Sequence, residues 1–351
     1  MIAAPRHTQY PSANARILVS SETDPRTNLA IEEALFRTAT ADRTTLLLYT
    51  NSPAIILGRN QNPWQECDIE WAREKQVPIV RRISGGGTVY HDPGNLNISF
   101  IVPRKAYAPD RLMGLAAAAL NHLHIPARLC ERRTIWVGGR KVAGSAFTLS
   151  GKAAVLHQCL LIDTDLHNLS RALEVPPKHI TGKSVQSIPS PVCNLTQIKP
   201  DITTDEVADA VEHEIAQLWK ITSRQTVAAP DIPGNQQCAL REKYASWAWN
   251  FARTAQFEHV VTTEGNWRLH LTVVGAGLSR AVIHPPNQTP ITIPHCRDVD
   301  YDGRAIANKI VEIWPETGNA PRHVRNQILA QIHAEIPSGL REDYPWNKPP
   351  G

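Results

Sequence analysis

The chain has 351 residues, 42% of them hydrophobic and 20% charged, a composition typical of a soluble globular protein long enough for two domains. A net charge of +4 lacks the clustered basic excess of nucleic-acid-binding proteins and suits an acidic partner or a phosphate ligand. No apolar run approaches the roughly 20 residues of a membrane-spanning helix. We therefore expect neither nucleic acid nor a membrane among the partners.

Cysteine spacing and the N-terminal residues bear on the cellular compartment. The six cysteines form no CxxC pair, which excludes a zinc ribbon or a dithiol motif and indicates reduced thiols. Residues 1–15 carry arginine, no acidic residue and no signal-peptide apolar core. We predict a disordered leader and a cytoplasmic protein. The alternative is a short mitochondrial presequence and the mitochondrial matrix.

In chain order, the first predicted element is a helix over residues 28–38, because its apolar residues recur at helical spacing and Asn28 can cap it. Further helices are predicted at residues 69–76, 111–123 and 205–219. Strands are predicted at residues 44–50, 53–59, 77–83, 88–92, 96–102 and 154–163. A hairpin is predicted over residues 135–147, turning at its glycine pair.

The composition changes at residues 220–240, which are polar and contain prolines. Residues 267–283 then read as a strand, a turn and a strand. Strands interspersed with single helices predict an α+β (mixed α/β) main domain, not a doubly wound sheet. A smaller α+β module is predicted to follow it.

The stretch RRISGGGTVYHD (residues 81–92) places three consecutive glycines beside two arginines. Glycines let backbone N–H groups approach one anion, and arginine forks match phosphate or carboxylate oxygens. The stretch has neither the Gly-Lys-Ser/Thr ending of a P-loop nor the GxGxxG pattern. An anion-binding loop and a purely structural turn therefore both remain open.

The residues after this loop point to both faces of a strand. His91 and Asp92 are adjacent, so they face opposite sides and are not expected to share a site. We expect a structural histidine, with Asp92 capping the following Pro-Gly turn. Asn95 and Asn97 share one strand face, where they either bind a nucleotide or line a turn.

Two lysines are candidate cations. Lys141 follows the predicted hairpin turn and has small, nearly apolar neighbours, so its ammonium could polarise a carboxylate or acyl-phosphate oxygen. An exposed hairpin lysine is the alternative. Lys183 belongs either to a second cationic loop or to an ordinary surface loop.

Five stretches of the sequence resemble the lipoate–protein ligase and lipoyltransferase family, and they occur in the order of that family. They are GRNQNPWQECD (58–68), RRISGGGTVYHDPGNLNISF (81–100), RKVAGSAF (140–147), KSVQSIPSPVCNL (183–195) and ASWAWNF (245–251). The pattern RRxSGGGxVxHDxGN beside QNPWQEC is highly specific. The resemblance extends from about residue 16 to the end.

This resemblance implies a biotin/lipoate ligase, class II synthetase-like catalytic domain over residues 16–248 and an accessory domain over residues 249–351. It implies activation of lipoate by ATP and Mg²⁺ to lipoyl-AMP. The lipoyl group then passes to a lysine on a lipoyl domain of an E2 subunit or on the glycine cleavage H protein. The family is typically monomeric.

Site residues carry over from the family by position. Lys141 falls on the lysine that holds the lipoyl carbonyl and phosphate, and is the predicted catalytic residue. Contacts to ATP or lipoyl-AMP, direct or supporting, fall on Arg81, Arg82, Gly85, Gly86, Gly87, Thr88, Val89, Tyr90 and Asn95. His157 and Lys183 are further candidates, and no metal ligand is assigned. Because an amine attacks a mixed anhydride directly, no protein nucleophile and no Ser-His arrangement are expected.

Several positions depart from the family pattern. Thr134 stands where an aspartate would help hold Mg²⁺ and triphosphate, and Gln158 replaces a histidine. Ser184 replaces a glycine, and Arg133 either faces solvent or substitutes in phosphate binding. The alternatives are a lipoyltransferase that uses preformed lipoyl-AMP and a non-catalytic lipoyl-domain binding protein. The QNPWQEC and SWAWNF stretches argue against an octanoyl or biotin transferase.

Overall fold

The computed structural model forms two compact units. The first comprises residues 1–59, 82–169 and 188–244, and the second comprises residues 60–81, 170–187 and 245–351. The structure describes residues 14–130, 132–176, 178–231, 234–314, 321–342 and 344. Most of the predicted leader lies outside these residues, but its last two positions belong to the first strand, which begins at Asn14.

Helices are interspersed among runs of consecutive strands along the described chain. The helices are α1 (Pro25–Arg37), α2 (Pro63–Glu66), α3 (Ile69–Glu74), α4 (Pro109–His122), α5 (Leu166–Leu173), α6 (Thr204–Ala216), α7 (Gly234–Ala245), α8 (Trp247–Asn250), α9 (Gly303–Ile313) and α10 (Arg322–Glu335). The strands are β1 (Asn14–Ser20), β2 (Arg43–Tyr49), β3 (Ala54–Leu57), β4 (Ile79–Arg81), β5 (Val89–His91), β6 (Asn95–Pro103), β7 (Arg128–Cys130), β8 (Thr134–Val137), β9 (Arg140–Leu149), β10 (Ala153–Leu161), β11 (Ile180–Gly182), β12 (Lys220–Val227), β13 (Phe257–Thr262), β14 (Arg268–Val274), β15 (Gly277–His284) and β16 (Ile291–Thr292).

An eight-stranded mixed sheet forms the frame of the first unit, in the order β12-β1-β2-β6-β10-β9-β8-β7. Strand β1 runs parallel to both β12 and β2, and the remaining neighbours are antiparallel. Strands β3 and β5 form a separate antiparallel pair. The prediction of a mixed α/β domain without a doubly wound sheet is therefore confirmed.

The two faces of the central strand β6 differ in chemistry, because side chains alternate along a strand. Leu96, Ile98 and Phe100 lie in the main hydrophobic cluster together with residues of α4 and α6. The intervening Ser99 donates a hydrogen bond to Glu32 of α1 on the opposite face. The apolar face thus holds the core, and the polar face is available to a site.

A five-stranded antiparallel sheet, β11-β13-β14-β15-β16, forms the frame of the second unit, and α9 and α10 pack together there. Trp64 of the QNPWQEC stretch is 1% exposed and packs against Phe257 and Tyr301, with ring centroids 5.6 and 5.1 Å away. Phe251 of the SWAWNF stretch lies 5.7 Å from the same indole. These two family-like stretches therefore build one aromatic core.

One predicted helix start was wrong, and one strand was not predicted. Helix α1 begins at Pro25, three residues before the predicted start, because Asp24 caps it and proline fits its first turn. Asn28 lies inside the helix, and its buried amide donates to Asn51 at 2.9 Å. The polar stretch after residue 220 contains strand β12, at the edge of the large sheet, which the sequence did not predict.

None of the helices in the described part of the chain is long and apolar enough to span a membrane.

Candidate active site

Arg82 shapes the glycine loop from inside the protein. Its side chain is 4% exposed, and its Nη2 donates to the carbonyl oxygens of Gly85 at 2.6 Å and Gly87 at 2.7 Å. Nη1 donates to the carbonyl of Ile56 at 3.0 Å. Because the guanidinium binds these loop carbonyls, it fixes a conformation of the loop that one lysine ammonium could not reproduce.

The glycine loop lies against strand β9. The amide of Gly85 donates to the carbonyl of Phe147 at 3.4 Å. Gly86 has φ +84°, and a Cβ there would lie 3.0 Å from Arg82 Nη2 and 3.2 Å from Ala146 Cβ. Both the left-handed backbone and the contacts therefore favour glycine at this position.

Lys141 lies on the same strand, β9. Its backbone pairs with the segment around Val192, because its amide donates to the carbonyl of Pro191 and its carbonyl accepts from the amide of Cys193. Its Nζ lies 3.2 Å from the point where a Cβ on Gly144 would stand. The half-buried lysine thus reaches along the strand towards the stretch of β9 that supports the glycine loop.

A Ser–His–Glu relay lies beside the loop. Ser84 Oγ is 2.8 Å from His157 Nε2, and His157 Nδ1 is 3.0 Å from Glu32 Oε2. The expectation that no Ser-His arrangement exists was therefore wrong. Ser84 is fully buried, however, and its oxygen also accepts from Arg82 Nε at 3.0 Å. This serine is a structural link rather than an accessible nucleophile.

The charges of this relay favour an ionised Glu32. Burial opposes the charged carboxylate most strongly, yet His157, Ser99 and Arg82 together hold the pKa of Glu32 below its usual value. Burial also lowers the pKa of Arg82 to about 10, so its guanidinium remains protonated at neutral pH. The site therefore combines a buried cation, a buried anion and a histidine between them.

Two asparagine side chains on β6, Asn95 and Asn97, each have a buried polar atom without a hydrogen-bond partner among the described residues. Asn95 is fully buried and its Nδ2 donates to the carbonyl of Leu160 at 3.1 Å. Among the described residues, no partner is found for Asn95 Oδ1 or for Asn97 Nδ2. Unpaired buried polar atoms are costly, so these two amides suit a polar ligand.

The residues that follow the loop are largely buried, and the predicted ligand contacts of Thr88, Val89 and Tyr90 stay a prediction. Thr88 and Tyr90 are buried and Val89 is half-buried, and burial raises the pKa of Tyr90 to about 12. His91 Nδ1 lies 3.0 Å from Asn51 Nδ2. Asp92 accepts from the amide of Gly94, which confirms the predicted cap of the turn.

Arg81 and Lys183 lie in the second unit. Arg81 is fully buried, and its guanidinium donates to the carbonyls of Gln61 at 2.7 Å and Asn250 at 2.7 Å and to Thr254 Oγ1 at 3.1 Å. These contacts give Arg81 a structural role in the second unit, and its predicted supporting role at the nucleotide site stays a prediction. Lys183 is exposed in the loop after β11.

The departures from the family pattern have local explanations. Gln158 points into the core and donates to the carbonyl of Leu112 at 3.2 Å, so it does not line the site. Thr134 Oγ1 accepts from Trp136 Nε1 at 2.8 Å. Arg133 forms an exposed ion pair with Asp110 at 2.9 Å, which confirms that it faces solvent.

Sequence reasoning missed Glu32 and Ser84. Glu32 was not predicted because its helix was identified only from the spacing of its apolar residues. Its partner His157 is 125 residues away in the chain. The available signal was an acidic pair, Glu32 and Glu33, inside a helix whose first ten residues are all buried. Buried acids require partners, and this requirement indicates a site.

Comparison with known proteins gives the family. The family model of the lipoyl protein ligase A/B catalytic domain matches residues 24–216, more than half of the chain. A lipoate-protein ligase A of Psychrobacter cryohalolentis is 32% identical over 312 residues, which cover 85% of this chain and 92% of the relative. The chain belongs to the lipoyl protein ligase A/B family. The predicted family, the ligase class and the enzymatic nature of the chain are thereby confirmed.

Solved structures of lipoyl protein ligases agree with this assignment. A Thermoplasma acidophilum lipoate protein ligase with bound lipoic acid is 25% identical, with a TM-score of 0.56 over 68% of this chain and 99% of that one. The structure of a bi-partite ligase and its E2 lipoyl domain from the same organism shows 25% sequence identity and a TM-score of 0.57, and the match covers 68% of this chain and 96% of that one. A lipoate-protein ligase A bound with ATP shows 26% sequence identity and a TM-score of 0.56, and the match covers 68% of this chain and 98% of that one.

Proposed function

We propose that the protein is an ATP-dependent lipoate–protein ligase, which activates lipoate to lipoyl-AMP and transfers the lipoyl group to an acceptor lysine. The observation that carries this proposal is the convergence on β9 of the Arg82-bound glycine loop and Lys141. The ATP and the lipoic acid bound by similar ligases support the choice of substrates.

The glycine loop is the proposed cradle for the nucleotide and phosphate. Arg82 binds the loop carbonyls of Gly85 and Gly87. Loop N–H groups are suitable ligands for an anion, as in other glycine-rich anion sites. Asn95 Oδ1 and Asn97 Nδ2 offer an acceptor and a donor to the polar groups of the adenylate.

Lys141 is the proposed catalytic residue. In the transfer step the acceptor amine forms a C–N bond to the lipoyl carbonyl, the C–O bond to phosphate breaks, and AMP leaves as the amine loses a proton. Negative charge grows on the carbonyl oxygen and on the departing phosphate. An ammonium held beside both oxygens lowers the barrier, because it stabilises charge that develops in the transition state.

Glu32 and His157 are proposed positioning residues. Glu32 accepts the Nδ1 proton of His157, so Nε2 accepts the hydroxyl proton of Ser84. The oxygen of Ser84 in turn accepts from Arg82. The relay therefore fixes the guanidinium that shapes the loop.

Magnesium is proposed to act on the triphosphate oxygens of ATP, where it neutralises charge. At position 134 the chain offers a threonine hydroxyl that already accepts from Trp136, rather than a carboxylate. No carboxylate of this chain is therefore assigned to Mg²⁺, which would supply charge neutralisation to the bound triphosphate.

The proposed acceptor is a lipoyl domain of an E2 subunit, supported by the archaeal ligase that was solved with its E2 lipoyl domain. The glycine cleavage H protein is a second proposed acceptor. A monomeric, cytoplasmic enzyme with a catalytic domain over residues 16–248 and an accessory domain over residues 249–351 completes the proposal.

The proposal is tested by incubating the full-length protein with ATP, Mg²⁺, lipoate and an apo lipoyl domain, and measuring acceptor lipoylation by mass spectrometry. We expect the wild type to modify the acceptor and Lys141→Ala to lose at least about 100-fold in rate with an unchanged melting temperature. Lys152→Ala, on an exposed turn, is the matched control and should retain activity. Full activity of Lys141→Ala would refute the catalytic role of the lysine.

A further inference from the structure

Three potential metal ligands meet on the surface of the first unit, at the pair of helices α4 and α6. His122 is the last residue of α4, and His213 and Glu214 are neighbours on α6. One donor atom from each lies within 4.8 Å of the other two. His122 Nδ1 is 3.2 Å from Glu214 Oε1, and the two imidazole rings are 5.0 Å apart.

We propose that these three side chains bind one divalent zinc-type cation that links α4 to α6. Two imidazoles and one carboxylate are a donor set that Zn²⁺ accepts, with water in the fourth position. Ligand atoms of a tetrahedral zinc site lie about 3.4 Å apart at ordinary Zn–N and Zn–O distances. The His122–Glu214 pair already has this spacing, so only His213 must turn inward.

The surroundings favour a cation at this position. The C-terminal end of a helix carries partial negative charge, and His122 ends a helix of 14 residues. The backbone after it is held by Asn121, whose Nδ2 donates to Ala127 at 3.0 Å. Val211 and Ile215 of α6 are fully packed in the core, which fixes the positions of the intervening His213 and Glu214.

The three proposed ligands are exposed enough for a metal ion to reach them and for their side chains to rotate. The side chain of His122 is 60% exposed and that of Glu214 is 21% exposed. His213 is exposed, and its Nε2 lies 3.4 Å from Gln217 Nε2, a long contact that a metal bond would readily replace. The distance to be closed is at most about 1.4 Å, from the 4.8 Å limit to the roughly 3.4 Å of a zinc site, and exposed imidazoles can cover it by side-chain rotation at little cost.

The consequence of the proposed site is a cross-link between two helices that are 92 residues apart in the chain. Both helices cover the apolar face of the large sheet, and their donors meet only in the folded protein. Zinc would therefore bind the native state alone and raise its stability by mass action. The site lies outside the catalytic machinery described above, and the inference does not depend on the proposed function.

The test is a zinc titration of the chelator-stripped, full-length protein against a chromophoric competitor, with the melting temperature as a second readout. We expect one equivalent with a Kd of about 10 µM or tighter, and a rise in Tm of about 3 to 6 °C at saturation. His213→Asn and Glu214→Gln should each weaken binding at least about 10-fold and remove the Tm rise. Without zinc, their Tm should match the wild type.

Two controls separate this site from other zinc ligands. His333→Asn removes an exposed helical histidine of the second unit and should leave binding unchanged. A Cys130→Ser, Cys238→Ser double variant removes the two exposed thiols and should do the same. The proposal is overturned if the two site variants bind zinc as the wild type does, if the thiol variant loses binding, or if no equivalent binds.

Discussion

Adjacent arginines in one family-like stretch serve different parts of the protein. Arg81 donates to the carbonyls of Gln61 and Asn250 in the second unit, whereas Arg82 donates to Gly85 and Gly87 in the first. Both are buried, and burial lowers the pKa of each to about 10. Arginine is suited to both positions because its planar fork satisfies several carbonyls at once.

The variant Arg82→Lys tests whether the guanidinium hydrogen bonds to Gly85 and Gly87 hold the glycine loop in place. The substitution keeps one charge but leaves Gly85 and Gly87 carbonyls without their donors, so the loop should lose its fixed conformation. We expect the KM for ATP to rise at least about 10-fold, equivalent to about 1.4 kcal/mol. Steady-state kinetics of acceptor lipoylation measures this effect. Arg128→Lys, exposed on β7, is the control, and an unchanged KM in Arg82→Lys would contradict the assigned role.

His91 provides a pH-dependent contribution to stability. Burial, followed by repulsion from Arg82 and His157, lowers the pKa of His91 from 6.5 to about 3. The unfolded chain therefore takes up a proton below pH 6.5 that the folded chain refuses. The stability that neutral His91 contributes is complete above pH 6.5 and is lost as the pH falls towards 3.

His91→Gln removes this titration. The difference in unfolding free energy between wild type and variant should shrink by about 2 kcal/mol between pH 7.5 and pH 5. Urea unfolding of both proteins at the two pH values measures the difference. Parallel pH profiles for the two proteins would show that His91 titrates normally in the folded state.

Individual residues differ in how far sequence alone could predict them. Lys141 and the glycines were found because local spacing and a specific pattern marked them. Glu32 and Ser84 both contact His157 in β10. They could not be predicted, because no local sequence pattern indicates which strand lies beside a given helix or loop. Arg81 was predicted to support the nucleotide site from its position in the family pattern, and only the structure shows that its side chain binds carbonyls of the second unit.

At the scale of elements, the turn between β5 and β6 is defined by close packing. A Cβ on Gly94 would lie 2.1 Å from the carbonyl oxygen of Asp163, in the segment that follows β10. The same glycine carbonyl accepts the amides of Ile162 and Asp163 at 2.9 Å. The turn and the segment after β10 therefore fit together only with glycine.

Gly94→Ala should consequently destabilise the protein by about 3 kcal/mol or more, because backbone must move to admit the methyl group. Gly114→Ala in α4 is the matched control, since no atom lies within 4 Å of its Cβ position. That change should stabilise the helix by up to about 1 kcal/mol. Thermal unfolding of both variants checks the pair, and equal stability of the Gly94 and Gly114 variants would refute the packing argument.

Most elements could be predicted because their apolar periodicity survives in the local sequence. The start of α1 was misplaced because Arg26 and Thr27 are polar yet buried, and only tertiary contacts make them part of the helix. Strand β12 was missed for a related reason. Among the described strands it pairs with β1 alone, at the edge of the sheet, so most of its side chains face solvent and carry no apolar pattern.

At the scale of the whole molecule, the family-like stretches divide into two kinds. The glycine loop and the Lys141 hairpin belong to the site of the first unit. The QNPWQEC and SWAWNF stretches build an aromatic core in the second unit, where Trp247 and Phe251 stack 4.3 Å apart. The aromatic residues of these two stretches therefore contribute to packing in the second unit.

The division of the chain into units could not be read from a single change in composition. Residues 60–81 and 170–187 belong to the same compact unit as the C-terminal residues, although both precede the predicted boundary at residue 248. Buried aromatic contacts such as that of Trp64 determine this grouping. The domain bounds inferred from the resemblance remain a prediction.

The central claim is that this chain itself activates lipoate, and it is tested by omitting the acceptor. The protein is incubated with ATP, Mg²⁺ and lipoate, and pyrophosphate release and protein-bound lipoyl-AMP are measured together. We predict stoichiometric formation of both in the wild type, with Thr134 in place of the family aspartate. Failure to form either, with transfer from added lipoyl-AMP intact, would contradict the claim and identify the protein as a lipoyltransferase only.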